Sequence, residues 1–203
     1  MDRKVALVAI LIVLLIIVSI CSYYLVFRMP IKASPEELVL ATQDMPGWIP
    51  GTTGGVFGFH YSYGPAPTPQ TEIVVNYYNV TLAFGMAIVV KSFRSSGDAS
   101  QFYSALTDKS GNYYHLNQTI SEVDQGLVAN YTMRWGNPYN YNYTEIIEGY
   151  FWDFNFRIAN VVVLLQFGEI IPEGSTIAPP IQDWMNDIAS NQVQKIQQFN
   201  IHL

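Results

Sequence analysis

An uninterrupted apolar run, Val5 to Phe27, carries no charge and follows Arg3 and Lys4. About 20 apolar residues cross the hydrocarbon core of a bilayer as a helix. The run therefore predicts a transmembrane signal-anchor, and it confines everything after it to one side of a membrane. A cleaved signal peptide is the competing reading. Such a peptide usually has only ~7–15 apolar residues before a small-residue cleavage site. This run closes instead on Tyr23, Tyr24, Leu25, Val26 and Phe27. Cleavage or lipidation at Cys21 is the alternative, although Ile20 stands where a small residue normally precedes a lipidated cysteine.

Arg3, Lys4 and the terminal amine precede the run, and Arg28 and Lys32 follow it. That contrast is small on the positive-inside rule. The remainder has no second hydrophobic span, which predicts a cytoplasmic N-terminus and an extracytoplasmic C-terminal part. The expected organisation is a stub and anchor helix over 1–28, a linker over 29–34 and one external domain over 35–203.

From Met29 onward there are 15 acidic and 7 basic side chains. Nucleic acid demands a basic footprint, so this balance excludes it as a partner, and it disfavours docking on anionic headgroups. Acidity that keeps a surface domain soluble is the simpler reading. Cys21 is the one cysteine and lies inside the apolar run. The external domain has no disulfide, thiolate nucleophile or cysteine metal site, and its stability must come from packing.

Four N-x-T sequons, at Asn79, Asn117, Asn130 and Asn142, all follow the apolar run. They are candidate glycosylation sites in a host that N-glycosylates, in keeping with an external domain. Asn-Tyr-Thr as a local composition of strands and turns is the alternative.

Ser34-Pro35-Glu36-Glu37 reads as a helix start, with Ser as N-cap, Pro in the first turn and acids at the positive end of the dipole. The helix is predicted over 35–42, stopping before Asp44-Met45-Pro46-Gly47-Trp48. A short strand over 56–62 is expected, then strands over 72–78 and 80–93 around a tight turn near Asn79. A second helix from Ser96 to about Lys109 follows, then weaker strands over 113–122 and 127–135. Residues 145–157 alternate as a half-buried strand, with Tyr150, Trp152, Phe154 and Phe156 on one face and Asp153, Asn155 and Arg157 on the other. Val161–Phe167 reads as a central strand covered on both faces. A tight turn between these two would use Asn160 in positive φ. The last helix spans 180–199, with a stripe of Ile181, Trp184, Met185, Ile188, Val193 and Ile196. The class is α+β, a mostly antiparallel sheet packed by helices.

Three segments carry a family resemblance. Asp44-Met45-Pro46-Gly47-Trp48 is similar to the D-L-P-x-G-W start of many extracytoplasmic sensor-like domains and lipoproteins. Ser96-Gly97-Asp98-Ala99-Ser100-Gln101-Phe102-Tyr103 resembles their mid-domain helix. Phe156-Arg157-Ile158-Ala159-Asn160-Val161-Val162-Val163 resembles their F-R-x-G-N-V-V-V hairpin, here with Ala159 at the glycine position. The resemblance, to actinobacterial receptor-kinase sensor domains and related lipoproteins, implies a PsbP-like αβα sandwich over most of 35–200. Those kinase sensor domains carry disulfides, which this external domain lacks. Only four residues precede the apolar run, so no kinase is expected behind it, and only the fold carries over.

No G-x-S-x-G, H-E-x-x-H, P-loop or Rossmann fingerprint is present. His60, His115 and His202 share no metal spacing. Glu145 with Glu148, and Glu36 with Glu37, read as solvated surface acids. No catalytic, cofactor or metal site is therefore expected. Trp135, Tyr139, Tyr141 and Tyr143 surround an Asn-rich loop and form the candidate contact surface, since Tyr beside Asn suits sugar or protein recognition. Rings covering strand faces beside a loop are the simpler alternative. The sequence thus predicts a membrane-anchored, externally facing, non-catalytic binding domain with a protein or carbohydrate partner at the cell surface. An accessory subunit of a membrane complex and an exported hydrolase are the alternatives.

Overall fold

The computed structural model describes residues 10–19, 30–51, 66–108, 114–116, 118–136, 146–171 and 180–199. Within the apolar run, residues 10–19 form a helix, α1. Its side chains from Ile10 to Val18 are 50–60% exposed. Among the described residues no helix is long and apolar enough to cross a membrane.

After α1 come α2 (Pro35–Leu38), a 3-10 turn (Thr42–Asp44), β1 (Ile49–Pro50), β2 (Thr71–Asn79) and β3 (Phe84–Ser92). Then follow α3 (Ser96–Asp108), β4 (Tyr114–Leu116), β5 (Gln125–Gly136), β6 (Ile146–Ile158), β7 (Val161–Ile171) and α4 (Asp183–Gln197). The strands make a seven-stranded sheet in the order β1-β2-β3-β7-β6-β5-β4, antiparallel at every junction. The α+β class with a mostly antiparallel sheet holds. The strand expected over 56–62 lies outside the described residues.

Helices cover both faces. On one face the stripe of α4, with Met185, Ile188, Val193 and Ile196, packs on Met86, Ile88, Trp152, Phe154, Phe156, Leu165 and Phe167. Trp184 joins from the edge, ring to ring with Trp48, Phe84 and Phe167 at 5.2–5.8 Å. On the other face Ala99, Phe102, Tyr103 and Leu106 of α3 pack on Val89, Phe93, Val162 and Leu164. A buried aromatic such as Phe102 stabilises by roughly 3–5 kcal/mol against alanine.

This second layer corrects the reading of β6 as half-buried. Phe151, Asp153 and Asn155 are only 3%, 1% and 4% exposed. Asp153 accepts from Gln166 Nε2 at 3.0 Å, and Tyr103 donates to the Asn155 carbonyl at 2.9 Å. Polar alternation therefore marks a buried row in this strand and not a wet face. Burial raises the Tyr103 hydroxyl pKa, with the Arg157 charge acting in the opposite sense.

The first helix is shorter than expected. It ends at Leu38 because Val39 turns extended, at φ −85° and ψ 145°. From there the backbone is satisfied by side chains distant in sequence. Gln192 is fully buried; its Nε2 donates to the Leu38 carbonyl at 2.6 Å and its Oε1 accepts from Leu40 N at 3.1 Å. Tyr77 donates its hydroxyl to the Leu40 carbonyl at 2.6 Å, and burial and then the Asp44 charge raise its pKa.

The segment expected as a linker is also packed onto the domain. Ile31 is 6% exposed, its N–H donates to Asn160 Oδ1 at 2.6 Å, and Asn160 Nδ2 donates to its carbonyl at 3.3 Å. The domain therefore begins at Ile31 at the latest. Asn160 does not take the positive φ expected of it; Ala159 does, at +51°. The Asn160 side chain is occupied in holding Ile31 and, through Nδ2, the Phe93 carbonyl at 2.8 Å.

Candidate functional site

The register fixes which parts of the chain meet at each end of the sheet. Ser92 pairs with Val161 while Gly85 pairs with Gly168. The end of β3, the β6–β7 turn and the start of β2 therefore lie together, and the docked segment 30–36 runs beside them. These pieces enclose a cleft of about 830 Å³, lined among others by Ile31, Lys32, Glu36, Thr71, Ser92, Arg94 and Asn160. That volume is in the range of small-molecule sites.

Each lining side chain is positioned for a local reason. Thr71 and Ser92 are register partners across β2 and β3, so their side chains share one sheet face. The ladder continues one step further, with Gln70 N donating to the Ser92 carbonyl at 2.8 Å. Ser92 is 7% exposed and its Oγ has no hydrogen-bond partner. A buried hydroxyl without a partner loses its hydration and gains nothing in return, unless something entering the cleft bonds to it. Asn160 forms the back wall, and Glu36 sits in the first turn of α2. Lys32, Glu36 and Arg94 are exposed, and none has an ion-pair partner among the described residues. Glu72 also lines the cleft, but its carboxylate is engaged, with Lys91 Nζ 2.6 Å away. The lining thus holds a serine with a buried hydroxyl, two unpaired cations, one unpaired acid and one acid paired with Lys91, on a partly apolar frame. That set can bind a polar molecule, and it contains no nucleophile paired with a base.

Of the contact surface read from the sequence, only the Trp135 backbone is among the described residues. Trp135 belongs to β5, where its backbone pairs with Ile147. It is therefore at the far end of β6 from Asn160, and 13 residues of strand make that about 40 Å at ~3.3 Å per residue. Tyr139, Tyr141 and Tyr143 lie outside the described residues, as do Asn117, Asn142, His60 and His202. Asn130 is half-buried in β5, with Trp152 as register partner.

Asn79 is 6% exposed, and its Oδ1 accepts from Thr81 N at 3.1 Å and Leu82 N at 3.0 Å. It closes the β2–β3 turn as an Asx turn. A Cβ on Gly47 would come within 3.3 Å of Asn79 Nδ2, so Gly47, at φ +86°, lies against the amide nitrogen. That geometry leaves no room for a glycan on Asn79. Among the described residues no group of three His, Cys, Asp or Glu could hold a metal ion.

Sequence reasoning missed Ser92, Arg94 and Asn160 as site residues, because their meeting depends on the β3–β7 register. Lys32 entered it only as a charge flanking the apolar run.

No family model matches the chain, and no curated protein does. Two solved structures resemble it. One is the extracellular domain of PknH from Mycobacterium tuberculosis, at 11% identity and a TM-score of 0.40, covering 84% of this chain and 99% of that one. The other is a Bacteroides thetaiotaomicron protein, at 11% identity and a TM-score of 0.34, covering 64% of this chain. The match spans 37% of the Bacteroides protein. At that identity and those TM-scores the likenesses carry nothing about what the chain does.

Proposed function

We propose that the chain is a membrane-anchored, externally facing, non-catalytic binding domain whose ligand seats in the cleft beside residues 30–36. The observation that carries the reading is the buried Ser92 hydroxyl, unpartnered on the cleft lining. Support for the anchor is the charge-free run Val5–Phe27, whose described part is a helix of exposed apolar side chains. Such a surface requires a non-aqueous cover. Pro30 lines the cleft only three residues after Phe27, so the anchor and the ligand seat adjoin. Alkaline carbonate extraction and protease treatment of intact cells test the topology. The reading expects the chain to stay with the membranes and to be cut from outside. Release by carbonate, or resistance until lysis, would sink it.

A role as accessory subunit draws support from a different surface. Among the described residues the outer edge of β2 pairs with β1 at Tyr77 and Tyr78, and Gly51 N donates to the Asn76 carbonyl at 2.8 Å. Ile49, Val74, Tyr78, Val80 and Leu82 nearby are 51%, 51%, 41%, 68% and 41% exposed. The rest of that edge has no strand partner among the described residues, and such an edge with apolar side chains invites strand addition. Native electrophoresis in mild detergent separates the readings, and a monomeric band counts against a subunit role.

A further inference from the structure

Five of the seven basic residues after Met29 have described side chains: Lys32, Lys91, Arg94, Arg157 and Lys195. Lys91 is paired with Glu72 at 2.6 Å, Arg157 with Asp124 at 3.4 Å and Lys195 with Asp44 at 3.3 Å. Acids outnumber bases about twofold in this domain, so a base can readily find a carboxylate. Lys32 and Arg94 nevertheless pair with no described carboxylate, and both line the cleft. Ser92, whose buried hydroxyl is unpartnered, is part of the lining as well. Two unpaired cations on the lining of one cleft, together with a buried donor, suit recognition of an oxyanion.

We infer that the cleft takes a small molecule bearing an oxyanion, carboxylate or phosphate, with Arg94 and Lys32 supplying the charge and Ser92 Oγ donating a hydrogen bond. This rests on the binding-domain reading and specifies its ligand. Glu36 repels a second negative group, so the remainder of the ligand is neutral or cationic. Because the cleft begins just after the apolar run, two sources can supply such a group: a free solute, or the headgroup of an anionic lipid in the same bilayer.

The test uses the full chain in phosphatidylcholine nanodiscs, with inorganic phosphate followed by ³¹P line broadening and acetate by saturation transfer. Wild type is expected to bind both saturably. Lys32→Gln with Arg94→Gln should abolish binding, and Ser92→Ala should weaken it on the order of tenfold, the worth of one charge-assisted hydrogen bond. Glu36→Gln should tighten it. All four positions should tolerate the change, since three are exposed and the fourth loses only an unpartnered hydroxyl; unchanged melting temperatures verify this. Lys195→Gln removes one positive charge without touching the cleft and should bind as wild type.

Nanodiscs containing phosphatidylglycerol identify the source. Loss of phosphate binding there assigns the site to a lipid headgroup, and retention assigns it to a free solute. Equal binding by wild type and the double variant overturns the inference, as does equal loss in Lys195→Gln. Methyl glucoside is the neutral probe. If it binds and Ser92→Ala reduces that binding while phosphate is ignored, the binding-domain reading stands and the oxyanion falls. If no probe distinguishes Ser92→Ala from wild type, both fall.

Discussion

Asn160→Ala removes the side chain that fastens the start of the domain. Asn160 is 2% exposed and its side chain makes three hydrogen bonds: it accepts from Ile31 N at 2.6 Å and donates to the Ile31 and Phe93 carbonyls at 3.3 and 2.8 Å. Each such bond is worth about 0.5–1.5 kcal/mol net, and a donor left buried without an acceptor costs about 1–3 kcal/mol. If Ile31 stays docked, its N–H becomes that donor. If it undocks, burial of an isoleucine worth about 1.5–3 kcal/mol is lost instead. Either route predicts a loss of about 3–4 kcal/mol. Asn160→Asp should fare no better, because it keeps the acceptor for Ile31 N but sets carboxylate oxygens against two carbonyls. Urea unfolding followed by tryptophan fluorescence reads the change through Trp48 and Trp152, which are 6% and 0% exposed. Hydrogen exchange at residues 31–36 should rise in parallel. A loss under about 1 kcal/mol with Ile31 still protected would refute the assignment of Asn160 as the fastening residue.

Ala159 holds a left-handed conformation at φ +51° with its methyl buried in the core. Relief of that strain is worth about 1–2 kcal/mol to glycine. Loss of the methyl, about 0.8 kcal/mol, and greater unfolded-state freedom, about 0.4–1 kcal/mol, offset it. Ala159→Gly should therefore leave stability within about 1 kcal/mol of wild type in urea titration, whereas Ala159→Val should destabilise. Asp44 has a lowered pKa, chiefly because its carboxylate accepts from Ala41 N at 2.9 Å, with Lys195 adding to the effect. A depressed carboxylate adds stability above its unfolded pKa and loses it as pH falls through the folded value. Asp44→Asn should thus flatten the acid side of the stability profile, and Lys195→Gln should flatten it less. In a host that N-glycosylates, peptide mapping should find Asn79 unmodified; an occupied Asn79 in folded protein would contradict its buried placement.

Element order was legible because it rests on local patterns. The α4 stripe and the near-continuous apolar β7 each need burial, and both elements occur where their periodicity puts them. What local pattern could not show was the work of single amides. Gln192 looks like a polar interruption of an apolar stripe, yet it is fully buried and holds Leu38 and Leu40. Asn160 looks like a turn former, yet Ala159 carries the turn strain. Asp153 and Asn155 look like a solvated face until α3 is placed over that side of the sheet. The cleft was illegible for the same reason, since Lys32, Ser92 and Arg94 converge only once Ile31 is docked on Asn160. The pairings of Gln192 with Leu38 and of Asn160 with Ile31 span over 120 residues and leave no periodic trace in sequence.

The central claim, an external domain that binds a molecule in the cleft next to its tether, is tested most directly by thiol labelling on intact cells. Thr71→Cys lines the cleft and Val80→Cys stands 68% exposed on the far turn; Cys21→Ser removes the native thiol. A membrane-impermeant maleimide should label both engineered positions without lysis, and phosphate should slow labelling at residue 71 while leaving residue 80 unchanged. Labelling that requires lysis would contradict the topology, and phosphate acting equally at both positions would contradict the cleft.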